Sequence, residues 1–234
     1  MTANDIARMI DISSVKAEST IPEIEKMAEV AKRYEFICAF AMPCFTKKLV
    51  ELLSDTDKVM VGGVVGFPSG ADTTSIKIAT AKEMMRTGVD ELDMVINVGA
   101  LKSGMYDLVY EDIHSVVETA NGMPVKCILE IAHLTDNEIK RGVSLAVKAG
   151  VTYVKTGTGW AHKPTTPETI RIIKSEIGNS ALIKAAGGVR DLKTLEEMVA
   201  EGASRFGIGI NSALAIMKEA AQKYGSSYNF EVGV

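Results

Sequence analysis

The chain has 234 residues, 47% of them hydrophobic, and a formal net charge of −4, so it is long enough to bury one large core and has no excess of positive charge to recommend nucleic acid as a partner. Its charges are interspersed, no polybasic or amphipathic patch recommends a membrane surface, and no apolar run is long enough to span a bilayer. Met1 to Ile10 lacks the layout of a signal peptide, and Cys38, Cys44 and Cys127 are odd in number and widely spaced, so the expectation is a cytoplasmic protein with ordinary thiols. His114, His133 and His162 have no metal-ligand spacing, and no metal or other cofactor is expected.

Short apolar runs then alternate with amphipathic helical stretches along the whole chain. Strands are expected at residues 8–12, 36–41, 59–65, 91–96, 125–131, 153–155, 182–185 and 205–208. Pro22 opens the helix after the first strand, Thr135 precedes Asp136-Asn137-Glu138 as a capping signal, and Pro167 follows two threonines. Gly88, Gly150 and Gly202 each close a helix just before the next strand. The runs read as continuously apolar, as in a parallel sheet covered on both faces. Eight strand–helix pairs without a composition break predict an α/β fold, a single-domain (β/α)₈ barrel over residues 1–234 with a short C-terminal tail from about 224. An open doubly wound sheet uses the same grammar, but Ile12-Ser13-Ser14-Val15 has no glycine-rich phosphate turn after the first strand.

A barrel gathers its chemistry where strands end, and Asp11, Gly66, Asp93, Asn97, Glu130, Lys155, Lys184 and Gly207 fall at or near those ends. Val154-Lys155-Thr156-Gly157-Thr158-Gly159 ends one strand with a lysine and a small-residue loop, and Leu182-Ile183-Lys184-Ala185-Ala186-Gly187-Gly188 repeats the pattern. Two ammonium groups held close together repel, which lowers the proton affinity of at least one and leaves an amine able to attack a carbonyl. Asp93 places a carboxylate inside an apolar run, where it needs a partner and is placed to shuttle protons. Lys126 and Glu130 read as a supporting ion pair, and the paired glycines as a backbone anion site.

Those same segments resemble the deoxyribose-phosphate aldolase family: Met9-Ile10-Asp11, Gly66-Phe67-Pro68, Asp93-Met94-Val95-Ile96-Asn97, Val154 to Gly159, and Lys184 through Gly187-Gly188 to Arg190. The resemblance implies a class I aldolase that cleaves 2-deoxy-D-ribose 5-phosphate to acetaldehyde and D-glyceraldehyde 3-phosphate. It also implies Lys155 as the Schiff-base lysine, Lys184 as its electrostatic activator, Asp93 as proton relay and Asp11 as support. Gly187, Gly188, Gly207, Gly209 and Thr158 would hold substrate and phosphate, and the assembly would be a homo-oligomer, a dimer first. The chain departs from the family where Gly207-Ile208-Gly209-Ile210 replaces Gly-x-Ser-Ser, and where Phe40, Met42 and Trp160 make the pocket more apolar. A weaker dependence on the phosphate is therefore expected. An aldolase for another sugar, a non-catalytic sugar-phosphate-binding barrel and, more weakly, a metal-dependent lyase are the alternatives.

Overall fold

The computed structural model describes residues 1–225. Its strands are β1 (Ile10–Ser14), β2 (Cys38–Ala41), β3 (Met60–Val65), β4 (Glu91–Val95), β5 (Val125–Ile128), β6 (Tyr153–Lys155), β7 (Leu182–Ala186) and β8 (Arg205–Gly209). All pair in parallel with their neighbours, and β8 pairs back onto β1, closing the barrel in the order expected from the sequence. The expected tail lies, beyond residue 225, outside the described residues.

Helices α1 (Ala3–Ala7), α2 (Ile21–Tyr34), α3 (Pro43–Leu53), α4 (Thr74–Thr87), α5 (Val98–Lys102), α6 (Tyr106–Ala120), α7 (Asp136–Lys148), α8 (Pro167–Ile177), α9 (Leu192–Ala200) and α10 (Ile210–Tyr224) surround it. Their ends follow the local chemistry. Pro22 and Pro167 sit in the first turns of α2 and α8, where a missing N–H costs nothing. Thr135 and Glu138 satisfy each other's backbone N–H groups in a capping box. Gly88 leaves α4 with φ near 95°, a conformation that favours glycine.

The first strand begins two residues later than its apolar run predicts. Arg8 belongs to the end of α1, where its Nη1 donates to the carbonyls of Glu35 and Lys58 at 2.8 and 2.6 Å.

The strands are also not uniformly apolar. Ile10, Ile12, Leu92, Met94, Val125, Cys127, Ile183, Ala185, Phe206 and Ile208 join the core shared with the helices. The residues between them, Asp11, Glu91, Asp93, Lys126, Lys184 and Arg205, are buried and bonded to one another inside the barrel. Successive strand side chains point to opposite faces, so the outer face of β1 and of β4 to β8 is hydrocarbon and their inner face ionic, whereas β2 and β3 turn an apolar face inward.

Candidate active site

Asp93 stands at the centre of the inner face. Its Oδ2 accepts from Lys155 Nζ at 2.7 Å and from Lys184 Nζ at 2.6 Å, while Lys126 Nζ lies 3.3 Å from its other oxygen. β4 and β6 are alternate strands, and side chains from alternate strands share a layer in a barrel. Asp11, on β1, joins the same network: its Oδ2 is 2.6 Å from Lys184 Nζ and its Oδ1 accepts from Arg205 Nε at 2.9 Å. Beneath it Glu91 pairs with Lys126 and with Arg205 Nη2. Asp11, Asp93 and Lys184 are therefore not at strand ends but one step down, with Lys155 at the end of β6 closest to the opening.

Four cations, Lys126, Lys155, Lys184 and Arg205, thus share three carboxylates, Asp11, Glu91 and Asp93. The network balances when one cation gives up its proton, and Lys155 holds its proton less tightly than an ordinary lysine. Burial lowers its pKa first, Asp93 opposes, and the neighbouring Lys184 charge lowers it again, leaving it at about 8. Burial thus outweighs the like-charge repulsion that the sequence puts first. Asp93 goes the other way: burial pushes its carboxyl up, but Lys155, Lys184 and Lys126 overcome that and hold it well below the usual carboxylate range. Burial opposes the charge of Lys126 too, yet Asp93, Asp11 and Glu91 raise its pKa above the ordinary lysine value.

The backbone behind Lys155 is fastened in place. Thr156 Oγ1 donates to the Ala186 carbonyl at 2.9 Å and accepts from Ala186 N at 2.9 Å, and Thr165 Oγ1 reaches both Thr156 Oγ1 and the same carbonyl. These bonds tie the loop after β6 to β7, so the two lysines keep their spacing.

A cavity of about 460 Å³ opens above Lys155 and Lys184. Phe40, Thr158 and Trp160 form part of its wall. Gly187, Gly188, Gly207 and Gly209 also line it, with Arg190 and Lys16, and Gly207 lies directly beside Lys184. Ser13, Asn211, Ser212 and the acidic Glu23 belong to the same lining. The indole N–H of Trp160 donates to the Val15 carbonyl at 2.8 Å, and its ring meets Phe67 edge-on at 6.1 Å. Trp160 and Thr158 also border a second, more open cavity of about 540 Å³ beside His133 and His162.

Two expectations need correcting. Met42 does not line the cavity: the chain turns into α3 at Pro43, and Met42 is the residue that caps it, its carbonyl accepting from Phe45 N at 2.8 Å. Lys126 and Glu130 are not partners either. Lys126 faces Glu91 and Asp93 near the bottom, whereas Glu130 lies beyond the end of β5 and accepts from the hydroxyl and N–H of Thr158. Four residues of extended chain span roughly 13 Å, which separates the two levels.

Glu91 and Arg205 were not anticipated as site residues. Their signal was present: each lies two positions before an expected site residue, Asp93 or Gly207, and so on the same face. The sequence also gives no expectation of a carboxylate cluster, yet the barrel brings Asp11, Glu91 and the Cys38 thiol within 4.8 Å of one another. Arg205 and Lys126 already neutralise these carboxylates, and burial pushes the Cys38 thiol well above its ordinary pKa, so the group fits ion pairing better than a metal.

A family model described as DeoC/LacD family aldolase matches residues 7–219. The chain is 43% identical over 226 residues to the deoxyribose-phosphate aldolase of Sinorhizobium medicae, covering 97% of this chain and 91% of that protein. With the deoxyribose-phosphate aldolase of a Geobacillus species it shares 44% identity over 216 residues, 92% of this chain and 96% of the other. Among solved structures, the tetrameric deoxyribose phosphate aldolase of Aeropyrum pernix superposes with a TM-score of 0.85 at 28% identity, over 95% of this chain and 92% of that one.

Proposed function

The chain belongs to the DeoC/LacD aldolase family, and from that premise we propose that its carbon–carbon lyase chemistry runs through a Schiff base on Lys155, with Asp93 and Lys184 moving the protons. The reaction is that of the deoxyribose-phosphate aldolases, reversible cleavage of 2-deoxy-D-ribose 5-phosphate to acetaldehyde and D-glyceraldehyde 3-phosphate. The observation that carries the residue roles is the shared Asp93 oxygen, bonded at once to both lysines.

The neutral Lys155 amine adds to the aldehyde carbon of the open-chain sugar. The carbinolamine loses its hydroxyl as water once that group is protonated, which leaves an iminium on Lys155, and Asp93, bridged to Lys184, lies where that proton can pass. The iminium then withdraws the electron pair of the bond between the second and third carbons while the third-carbon hydroxyl loses its proton. Glyceraldehyde 3-phosphate departs and an enamine remains. Protonation of the enamine and addition of water free acetaldehyde and restore the amine. Each step needs a base or an acid at the same few atoms; the Asp93 carboxylate accepts protons, and the Lys184 ammonium bonded to the same oxygen returns them.

Gly187, Gly188 and Gly207 offer backbone N–H groups to the phosphate, and Gly209 leads into α10, whose free N–H groups favour an anion. Thr158 helps shape the wall, with its hydroxyl committed to Glu130. Arg190 and Lys16 add positive charge to the cavity lining. A cytoplasmic location fits the three free thiols. A homo-oligomer is part of the same reading, supported by the tetrameric relative.

The test is borohydride reduction with 2-deoxyribose 5-phosphate followed by peptide mass mapping. The carbonyl fragment should add to the peptide bearing Lys155. Label found only on Lys184 reverses the assignment, and a Lys155→Ala protein that turns over at the parent rate removes the mechanism.

A further inference from the structure

The ring of Phe40 lies inside the barrel, 3% exposed, and faces the ammonium groups. Its centroid is 4.1 Å from Lys184 Nζ, 5.3 Å from Lys126 Nζ and 5.8 Å from Lys155 Nζ. An ammonium within about 6 Å of a ring face is attracted by the ring quadrupole, most strongly where water is excluded. The adjacent strand makes room for it. Gly62 pairs with Phe40 in register, and a Cβ there would stand 2.0 Å from Phe40 Cζ. Cys38 and Val64 pack around the ring in a small apolar cluster separate from the main core.

We propose that Phe40, seated over Gly62, is a positioning residue that acts through Lys155: it forms the dry wall of the cavity on the β2–β3 side and holds the Lys184 ammonium against its face. The inference rests on Lys155 being the reacting amine. The groups around that amine show why this wall matters. Asp93 on β4, Lys184 on β7 and Asp11 on β1 face it, with Lys126, Glu91, Arg205 and Tyr153 below. Glu130 is tied to Thr158, and Lys16, Glu23 and Arg190 line the outer cavity. β2 and β3 contribute only Phe40, Gly62, Val64 and the Cys38 thiol to the inner face near the lysines. Water entering there would have no charge to displace, only hydrocarbon, and would solvate the Lys155 ammonium. Burial is the largest cause of that amine's easy deprotonation, so the wall that keeps water out controls it.

The experiment follows borohydride trapping of 2-deoxyribose 5-phosphate on Lys155 from pH 5.5 to 9.5 in the parent, Phe40→Ala, Phe40→Leu and Gly62→Ala, with thermal unfolding measured alongside. Phe40→Ala should move the midpoint of trapping up by about one pH unit, or about tenfold less trapping rate on the acid side. Phe40→Leu keeps apolar bulk but loses the ring face, and should move it less. Gly62→Ala deletes nothing from the wall yet forces the ring aside, and should move the midpoint in the same direction as Phe40→Ala. Should Phe40→Ala fail to fold, the other two variants decide. Midpoints unchanged while unfolding temperatures fall would make Phe40 a packing residue and overturn the inference. A parent that carries no label on Lys155 at any pH would instead overturn the Schiff-base assignment.

Discussion

Replacing Lys155 by Met should abolish turnover and make the protein more stable. Methionine matches the lysine chain in length but brings no charge into the buried layer. In the folded barrel Lys155 gives up its proton near pH 8, against 10.5 for an ordinary lysine. At roughly 1.4 kcal/mol per decade of proton affinity, that difference corresponds to about 3 kcal/mol of destabilisation whenever the unfolded lysine is charged. The folded pKa is the lower one, so the unfolded chain binds more protons between the two values and stability rises with pH there. The penalty is full at pH 7 and shrinks as pH rises from about 8 towards 10.5. For a domain of this size, about 3 kcal/mol corresponds to roughly 6–12 °C in Tm. The assay is urea unfolding of parent and Lys155→Met at pH 7 and pH 10. The variant should lead by about 3 kcal/mol at the first pH and by under about 1 kcal/mol at the second. Asp93 keeps Lys184 on the same oxygen, so no carboxylate is orphaned by the change. A variant less stable than the parent at pH 7, or a gain that does not vary with pH, refutes the reasoning.

Asp93→Asn removes the charge that raises the Lys155 pKa, so its amine should be neutral over a wider pH range, yet kcat should fall by about 10²–10⁴ because the proton relay is lost. Steady-state kinetics at pH 7 that match or exceed the parent would show that Asp93 is not the relay. Lys184→Met removes the repulsion on Lys155, so the rise of kcat/KM near pH 8 should shift to higher pH and activity at pH 7 should fall; an unchanged profile counts against the electrostatic role. Gly209→Ser with Ile210→Ser should raise the preference for 2-deoxyribose 5-phosphate over 2-deoxyribose in kcat/KM by one to two decades, since a charge-assisted hydrogen bond is worth about 1.5–3 kcal/mol. A Cβ at Gly209 meets no heavy atom nearer than the Ser13 carbonyl at 4.0 Å, and serine is a favoured N-cap, so the change should be tolerated. A parent that already discriminates strongly, with no gain in the double variant, would show that backbone N–H groups suffice.

The barrel was legible because eight apolar runs, separated by stretches of helical periodicity and punctuated by the prolines, threonine and glycines that open or close helices, leave few other topologies. Lys155, Asp93 and Lys184 were legible because a charge in an apolar run must find a partner. Their levels in the barrel were not, since a strand that reads as uniformly apolar hides which residues face inward, and Asp11 and Lys184 sit a layer lower than their runs suggest. The partners of Lys126 and Glu130 are hidden for a related reason: the two are near in sequence, but the chain leaves the strand between them. Lys16 and Arg190 at the cavity rim lie on loops, whose reach follows from tertiary packing rather than from any local pattern.

The alternation along each strand also fixes how the barrel can close. If β1 or any of β4 to β8 slid by a single residue against its neighbours, its acidic or basic side chain would turn outward into the hydrocarbon of the helices, and an aliphatic one would turn in to face bare charges. A charge turned out of the network would lose its partners there, so such a slip would cost far more than the ladder bonds it rearranges. The pair between Arg205 and Asp11 joins the last strand to the first, 194 residues apart, and is satisfied only when the seam meets in the right register. The side chains that hold Lys155 in place therefore also select the one way in which the two ends of the sheet fit together.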